Sequence, residues 1–110
     1  MKVNFDIIIL EEANDFIRNL DIKCQQKVLI NLKKAQKVKD VQLFKKLKGS
    51  NMWEFRTSYN NMQYRLLAFW HKEHKTFVIC TNGFIKKSQK TPLKEIRKAE
   101  SIRLEYLSNI

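Results

Sequence analysis

Between Met52 and Phe84 the chain offers three apolar-rich runs joined by two short turns, which limits its fold more than any other feature. Met52 to Tyr59 alternates strictly, with Trp53, Phe55 and Tyr59 facing one way and Glu54, Arg56 and Ser58 the other. Asn60-Asn61 is a tight hairpin signal, since Asn tolerates the positive φ such a turn demands. Gln63 to His71 puts Tyr64, Leu66, Ala68 and Trp70 on one face and Arg65, Leu67 and Phe69 on the other. Lys72 to Lys75 makes the next turn, and Thr76 to Phe84 is the last strand-like run. Links this short join only antiparallel neighbours, so the centre of the molecule is expected to be an antiparallel meander.

The flanking segments read as elements packed on that sheet. Val3 to Leu10 is rich in β-branched and aromatic residues and predicts a first strand. Glu11-Glu12 opens a helix whose Ala13, Phe16, Ile17 and Leu20 keep helical spacing. Asp21 is a good N-cap for a second helix, Ile22 to Lys39, with Cys24, Val28, Leu32 and Ala35 on one face and Lys23, Lys27, Lys34 and Lys37 on another. Leu43 to Gly49 is a basic segment ending in a turn at Gly49-Ser50-Asn51. Gly83 lets the chain turn at a strand end. Thr91 followed by Pro92 reads as an N-cap with proline at the first helical position. The closing helix, Thr91 to Ile110, turns Leu93, Ile96, Ala99, Ile102 and Tyr106 inward. The order is β-α-α-β-β-β-α, an α+β fold with a helical hairpin on one sheet face and a C-terminal helix, in one domain spanning 1–110.

The charge balance says what such a domain would meet. Against 22 Lys+Arg stand 11 Asp+Glu, a net charge of +11, which implies an anionic partner: nucleic acid, an acidic membrane surface or an acidic protein. The membrane is the weakest of these. The longest strictly apolar run, Ile7 to Leu10, is too short to span a bilayer, and coming straight after Asp6 it is no signal-peptide core. Cys24 and Cys80 have no CxxC partner or metal-ligand spacing and fall on apolar faces, as small core residues of a cytoplasmic protein would.

Three cationic groups can converge on the meander. Arg56 and Arg65 project from adjacent strands, opposite the large aromatics of their own strands. A guanidinium stays protonated and offers a fixed fork that matches phosphate. Singly, each is read as well as a partner for Glu54 or as solvated; together they make a phosphate clamp on an uncovered face. Lys45, Lys46 and Lys48 precede the meander, and Lys86, Lys87 and Lys90 leave it in a basic corner; a solvated lysine turn is the plain alternative for each group. No cofactor-binding motif is present. A metal site lacks ligands, since His71 and His74 stand alone by a hairpin turn. A Cys80–His71 nucleophile pair would place the thiol in mid-strand among apolar residues.

The runs Met52-Trp53-Glu54-Phe55-Arg56, Tyr64-Arg65-Leu66-Leu67 and Asn82-Gly83-Phe84-Ile85-Lys86-Lys87-Ser88-Gln89-Lys90-Thr91-Pro92 resemble the RelE superfamily of bacterial toxins, in its HigB-like and phage-derived branch. The resemblance spans nearly the whole chain and is most specific from Leu47 to Ala99. It implies an endoribonuclease toxin of a type II toxin-antitoxin pair, which cuts mRNA in the ribosomal A site and is covered at rest by a cognate antitoxin, expected to be a small helix-turn-helix protein. It implies catalytic roles for Arg56, Arg65, Lys86, Lys87 and Lys48, and RNA binding by Lys45, Lys46 and Lys90. Cleavage would be metal-independent, through attack of the 2′-hydroxyl, with cations steadying the phosphorane. A lysine crowded by other cations can titrate near the working range, which nominates Lys86, Lys87 or Lys48 for proton transfer. The rival from another class is a non-catalytic basic module that blocks translation by occupying RNA. A DNA-binding regulator is weaker, for want of a helix-turn-helix.

Overall fold

The structure is a computed structural model that describes residues 3–109. Its elements are β1 (Asp6–Ile9), α1 (Glu11–Arg18), α2 (Ile22–Lys37), β2 (Phe44–Lys46), β3 (Trp53–Tyr59), β4 (Met62–Trp70), β5 (Phe77–Lys86) and α3 (Leu93–Ser108). The α+β class and the meander β3-β4-β5 are as expected. The hairpin between β3 and β4 turns on Asn60 and Asn61, with φ of 53° and 65°, the backbone a two-residue primed turn requires. Asp21 caps α2 by accepting a hydrogen bond from Cys24 N at 2.9 Å.

The sheet extends the expected antiparallel meander at both edges. It has five strands in the order β1-β5-β4-β3-β2. β1 lies parallel to β5, because the α1–α2 hairpin and the rest of the sheet intervene in sequence and bring it to the far edge. β2, at the opposite edge, pairs antiparallel with β3. In sequence it shows only as a basic segment, since two of its three residues are lysines; Phe44 holds it down by stacking on Phe55 at 4.2 Å and on Trp53 at 4.8 Å. β1 and α2 are shorter than expected, and the Ile110 end of the last helix lies outside the described residues.

Both faces of the sheet are packed. On one, Phe55, Leu66, Ala68, Val78 and Cys80 meet Ala13 and Ile17 of α1 and Val28, Leu32 and Ala35 of α2. On the other, Leu67, Phe69, Ile79 and Phe84 meet Ala99, Tyr106 and Leu107 of α3. Leu93, expected to face inward, is 66% exposed, because as the first residue of α3 it lies before the turns that reach the sheet.

Gly83 also departs from expectation. It sits inside β5, opposite Leu66, where the Phe16 ring of α1 lies on the strand. A Cβ there would collide with Phe16 Cδ2 and meet Leu66 Cδ2 at 2.8 Å, so the glycine serves a close approach rather than a turn. Next to it the register shifts: Leu67 faces Asn82 while Ala68 faces Cys80, leaving Thr81 as the extra residue of a bulge. The single Thr81 hydroxyl proton goes to Asn82 Oδ1 at 2.6 Å, with Leu67 O as its other acceptor in reach at 3.2 Å. Asn82 Nδ2 donates in turn to Glu95 Oε1 at 3.2 Å, which ties the start of α3 to this point of the sheet. The sheet beyond the bulge, toward Arg65 and Lys86, is left open by α3.

Candidate active site

Arg56 and Arg65 are directly opposite each other on β3 and β4. Arg56 N donates to Leu43 O, and Arg56 O accepts from Asn31 Nδ2, so the backbone groups of Arg56 point away from β4. The pair is therefore non-hydrogen-bonded, the closer kind, which sets two like charges side by side at a cost. Glu54, one step along the same face, compensates. Its Oε2 lies 3.6 Å from Arg56 Nε and 3.7 Å from Arg65 Nε, and the carboxylate and Arg65 are each only 4% exposed at the side chain. Both Nε atoms are buried and, at these distances, have no hydrogen-bond partner among the described residues. Arg65 Nη1 donates to Tyr64 O at 3.0 Å and Arg56 Nη1 to Val41 O at 3.3 Å. Two guanidiniums against one carboxylate leave one positive charge in excess in a partly buried place. Burial lowers the pKa of Arg65, Glu54 opposes this and Arg56 adds to it.

The cations expected here divide into those the sheet brings together and those it does not. Lys86 ends β5 on the same face as Arg65, and with Arg56, Arg65, Gln63, Lys87, Ser88 and Gln89 it walls an open cleft of about 570 Å³. Burial lowers its pKa most; Arg65, Arg56 and Lys45 lower it further, while Glu54 pulls it up. Lys45 is opposite Glu54 on β2 and so shares this face. Lys46 is opposite Trp53, on the other face, where its Nζ donates to Ser50 O at 3.3 Å. Lys48 is exposed in the turn after β2 and Lys90 in the loop before α3; neither lines the cleft.

Thr91 is placed otherwise than expected. Pro92 holds the N-cap position of α3, and no side chain caps the helix there. The Thr91 hydroxyl donates instead to Glu54 Oε1 at 3.0 Å. Glu54 is thus held by two arginines on one oxygen and a threonine on the other. From the sequence Glu54 is legible only as a partner for one arginine or the other taken singly. The available signal was its period-two spacing from Arg56, which puts the acid and both arginines on one face.

The other nucleophile and ligand readings find no support in the geometry. Burial pushes the Cys80 thiol up to about 12. His71 is buried, its Nδ1 accepting from Glu73 N and His74 N within the β4–β5 turn. Among the described residues no three His, Cys, Asp or Glu side chains gather to hold a metal ion. No helix among them is long and apolar enough to cross a membrane.

A family model described as "Phage derived protein Gp49-like" matches residues 15–103. Among solved structures, the chain is similar to an arginine-to-alanine double mutant of the E. coli toxin RelE in the free state. That similarity has a TM-score of 0.61 at 16% identity and covers 93% of this chain and 98% of the other, so it speaks for the fold. No curated protein matches the chain.

Proposed function

The chain belongs to the phage-derived Gp49-like family, and from that premise we propose that it is a translation-inhibiting endoribonuclease toxin of a type II toxin-antitoxin pair. Its substrate in this reading is mRNA held in the ribosomal A site. The observation that carries it is the pair of guanidiniums set face to face on rigid strands, over-charged by one and flanked by a lysine of lowered pKa. A site of that kind favours an anion whose charge grows during reaction, as a phosphodiester's does on passing to a phosphorane.

The chemistry follows from the side chains. Arg56 and Arg65 take the non-bridging oxygens through the guanidinium nitrogens that Glu54 does not face. Glu54, fastened by Thr91, keeps both forks in register, so little reorganisation is needed as charge develops. The lowering of the Lys86 pKa favours its neutral amine, the form that accepts the proton of the ribose 2′-hydroxyl as that oxygen attacks phosphorus. The P–O5′ bond breaks, a 2′,3′-cyclic phosphate forms, and the Lys87 ammonium group on the same rim delivers a proton to the departing 5′-oxygen. Atoms and protons balance, and no metal takes part in these steps. Lys45 adds attraction for the chain of phosphates.

Two measurements test the reading. Expression without a partner protein should stop growth by blocking translation, whereas normal growth at high soluble expression counts against it. Primer extension on mRNA in stalled ribosomes should show new 5′ ends with the parent and none with Arg65→Ala. If the parent binds ribosomes and halts translation without cutting, the non-catalytic blocking module replaces the enzyme.

A further inference from the structure

The arginine cleft does not end at the arginines. Arg56, Gln63 and Arg65 also wall a second cleft of about 310 Å³, closed on its far side by Lys27, Asn31 and Lys34 of α2 and by Gln42. It exists because β2 is short. The strand begins at Phe44, so beyond Leu43 the edge of β3 has no neighbour strand, and α2 comes up beside it. Asn31, buried at 9% exposure, takes the strand's place: its Nδ2 donates to Arg56 O at 3.5 Å and to Thr57 Oγ1 at 3.3 Å.

Lys27, Asn31 and Lys34 stand at i, i+4 and i+7, one stripe of the helix. The hydrogen bonds of Asn31 therefore set the helix stripe that carries both lysines on the rim immediately behind Arg56. Among the described residues neither lysine has an ion-pair partner, and no carboxylate lines either cleft. The amide of Gln42 is exposed, and Gln63 uses its Oε1 to accept from Ser58, which leaves its NH₂ free for a base edge or ribose.

We infer that the α2 stripe Lys27–Lys34, with Gln42 and Gln63, is a second nucleotide subsite, binding the phosphate next to the one held by Arg56 and Arg65. It rests on the reading of the arginine cleft as an RNA-cleaving site and extends it. The substrate path then runs from Lys86 and Lys87, over the two arginines, around the free edge of β3 and onto the flank of α2. Turning over a sheet edge within a few nucleotides suits a flexible single strand and excludes a duplex, which is stiff over far longer distances.

The experiment compares a dinucleotide and an octanucleotide of single-stranded RNA, both with a 2′-deoxy scissile position so that neither is cut. Binding is followed by fluorescence anisotropy over a range of salt, with circular dichroism to verify folding. Lys27→Ala/Lys34→Ala should weaken the octanucleotide about tenfold, lower its log–log salt slope by roughly 1.4, and leave the dinucleotide unchanged. Arg65→Ala should weaken both. A charge-matched control, Lys33→Ala/Lys75→Ala, changes exposed lysines outside the clefts and should cost less than the α2 pair. If the control costs as much, or the α2 pair costs nothing while Arg65→Ala still does, the subsite is refuted and the arginine site stands. If Arg65→Ala changes neither ligand, the arginine site itself falls.

Discussion

Replacing Glu54 by glutamine keeps the shape of the side chain and removes the negative charge between a buried guanidinium, Arg65, and a half-buried one, Arg56. At an effective dielectric of about 20, each arm, at 3.6 and 3.7 Å, has a gross attraction of roughly 4–5 kcal/mol. Desolvating the groups cancels much of that, but removing one partner from a buried pair leaves the rest uncompensated and costs about 3–5 kcal/mol. A domain of this size is stable by roughly 5–15 kcal/mol. Even the low end would therefore lower Tm by about 12 °C. The amide still accepts from Thr91, so the loss reports charge rather than a broken loop.

The cost should be reversible by an anion. Inorganic phosphate that binds between the arginines of the folded chain replaces the missing charge, and stabilises by mass action. Thermal unfolding by circular dichroism, with and without phosphate, should show a larger upward shift of Tm for Glu54→Gln than for the parent. RNA binding should tighten while cleavage slows, since the site gains charge and loses the brace that aligns the forks. A variant within about 0.5 kcal/mol of the parent, with the same phosphate response, would refute the account of the carboxylate as the brace.

Three further outcomes follow from the same geometry. Arg65→Ala should lower the cleavage rate at saturating ribosomes by about 100-fold or more, as loss of a preorganised donor does, while Lys46→Ala, on the other sheet face, stays near the parent in single-turnover assays. Lys86→Arg should retain binding and abolish the rising limb of the pH–rate profile, which in the parent lies below the ordinary lysine range because burial and neighbouring cations favour the neutral amine. In the window between that lowered pKa and the ordinary value the unfolded chain binds more protons, so the stability of the parent should rise with pH there, and that of Lys86→Arg should not. Gly83→Ala should cost about 1–3 kcal/mol in urea unfolding, from the clash with Phe16, with Phe16→Leu recovering part of it.

How much of this was readable beforehand depends on how local each signal was. The β3–β4 hairpin declares itself in Asn60-Asn61, and the Asp21 cap of α2 in a single residue, because each needs only its immediate neighbours. The packing of β1 beside β5 and the docking of α3 at the Thr81 bulge depend on partners far along the chain, and no local pattern announces them. Gly83 shows the same limit from the other side. Glycine permits a turn and permits a close approach, and only the presence of the Phe16 ring says which is in use.

The site follows this division. Facing arginines on one hairpin could be inferred from alternation and turn length, since both fix register locally. What turns them into a chemical device is less local: Thr91, read as a helix cap, is drawn across to Glu54, and Asn31 is drawn from α2 to the unpaired edge of β3. Each spends a short polar side chain on a tertiary bond where local structure offered it another partner or water. A buried carboxylate braced from three sides, and a helix clamped against a free strand edge, do little for the apolar core. They do hold cations at fixed separation on an open face, where a chain of phosphates can supply the missing negative charge. On the proposed reading that geometry serves a chain of phosphates, and Thr91 and Asn31 spend their polar groups on β3, the strand it would cross.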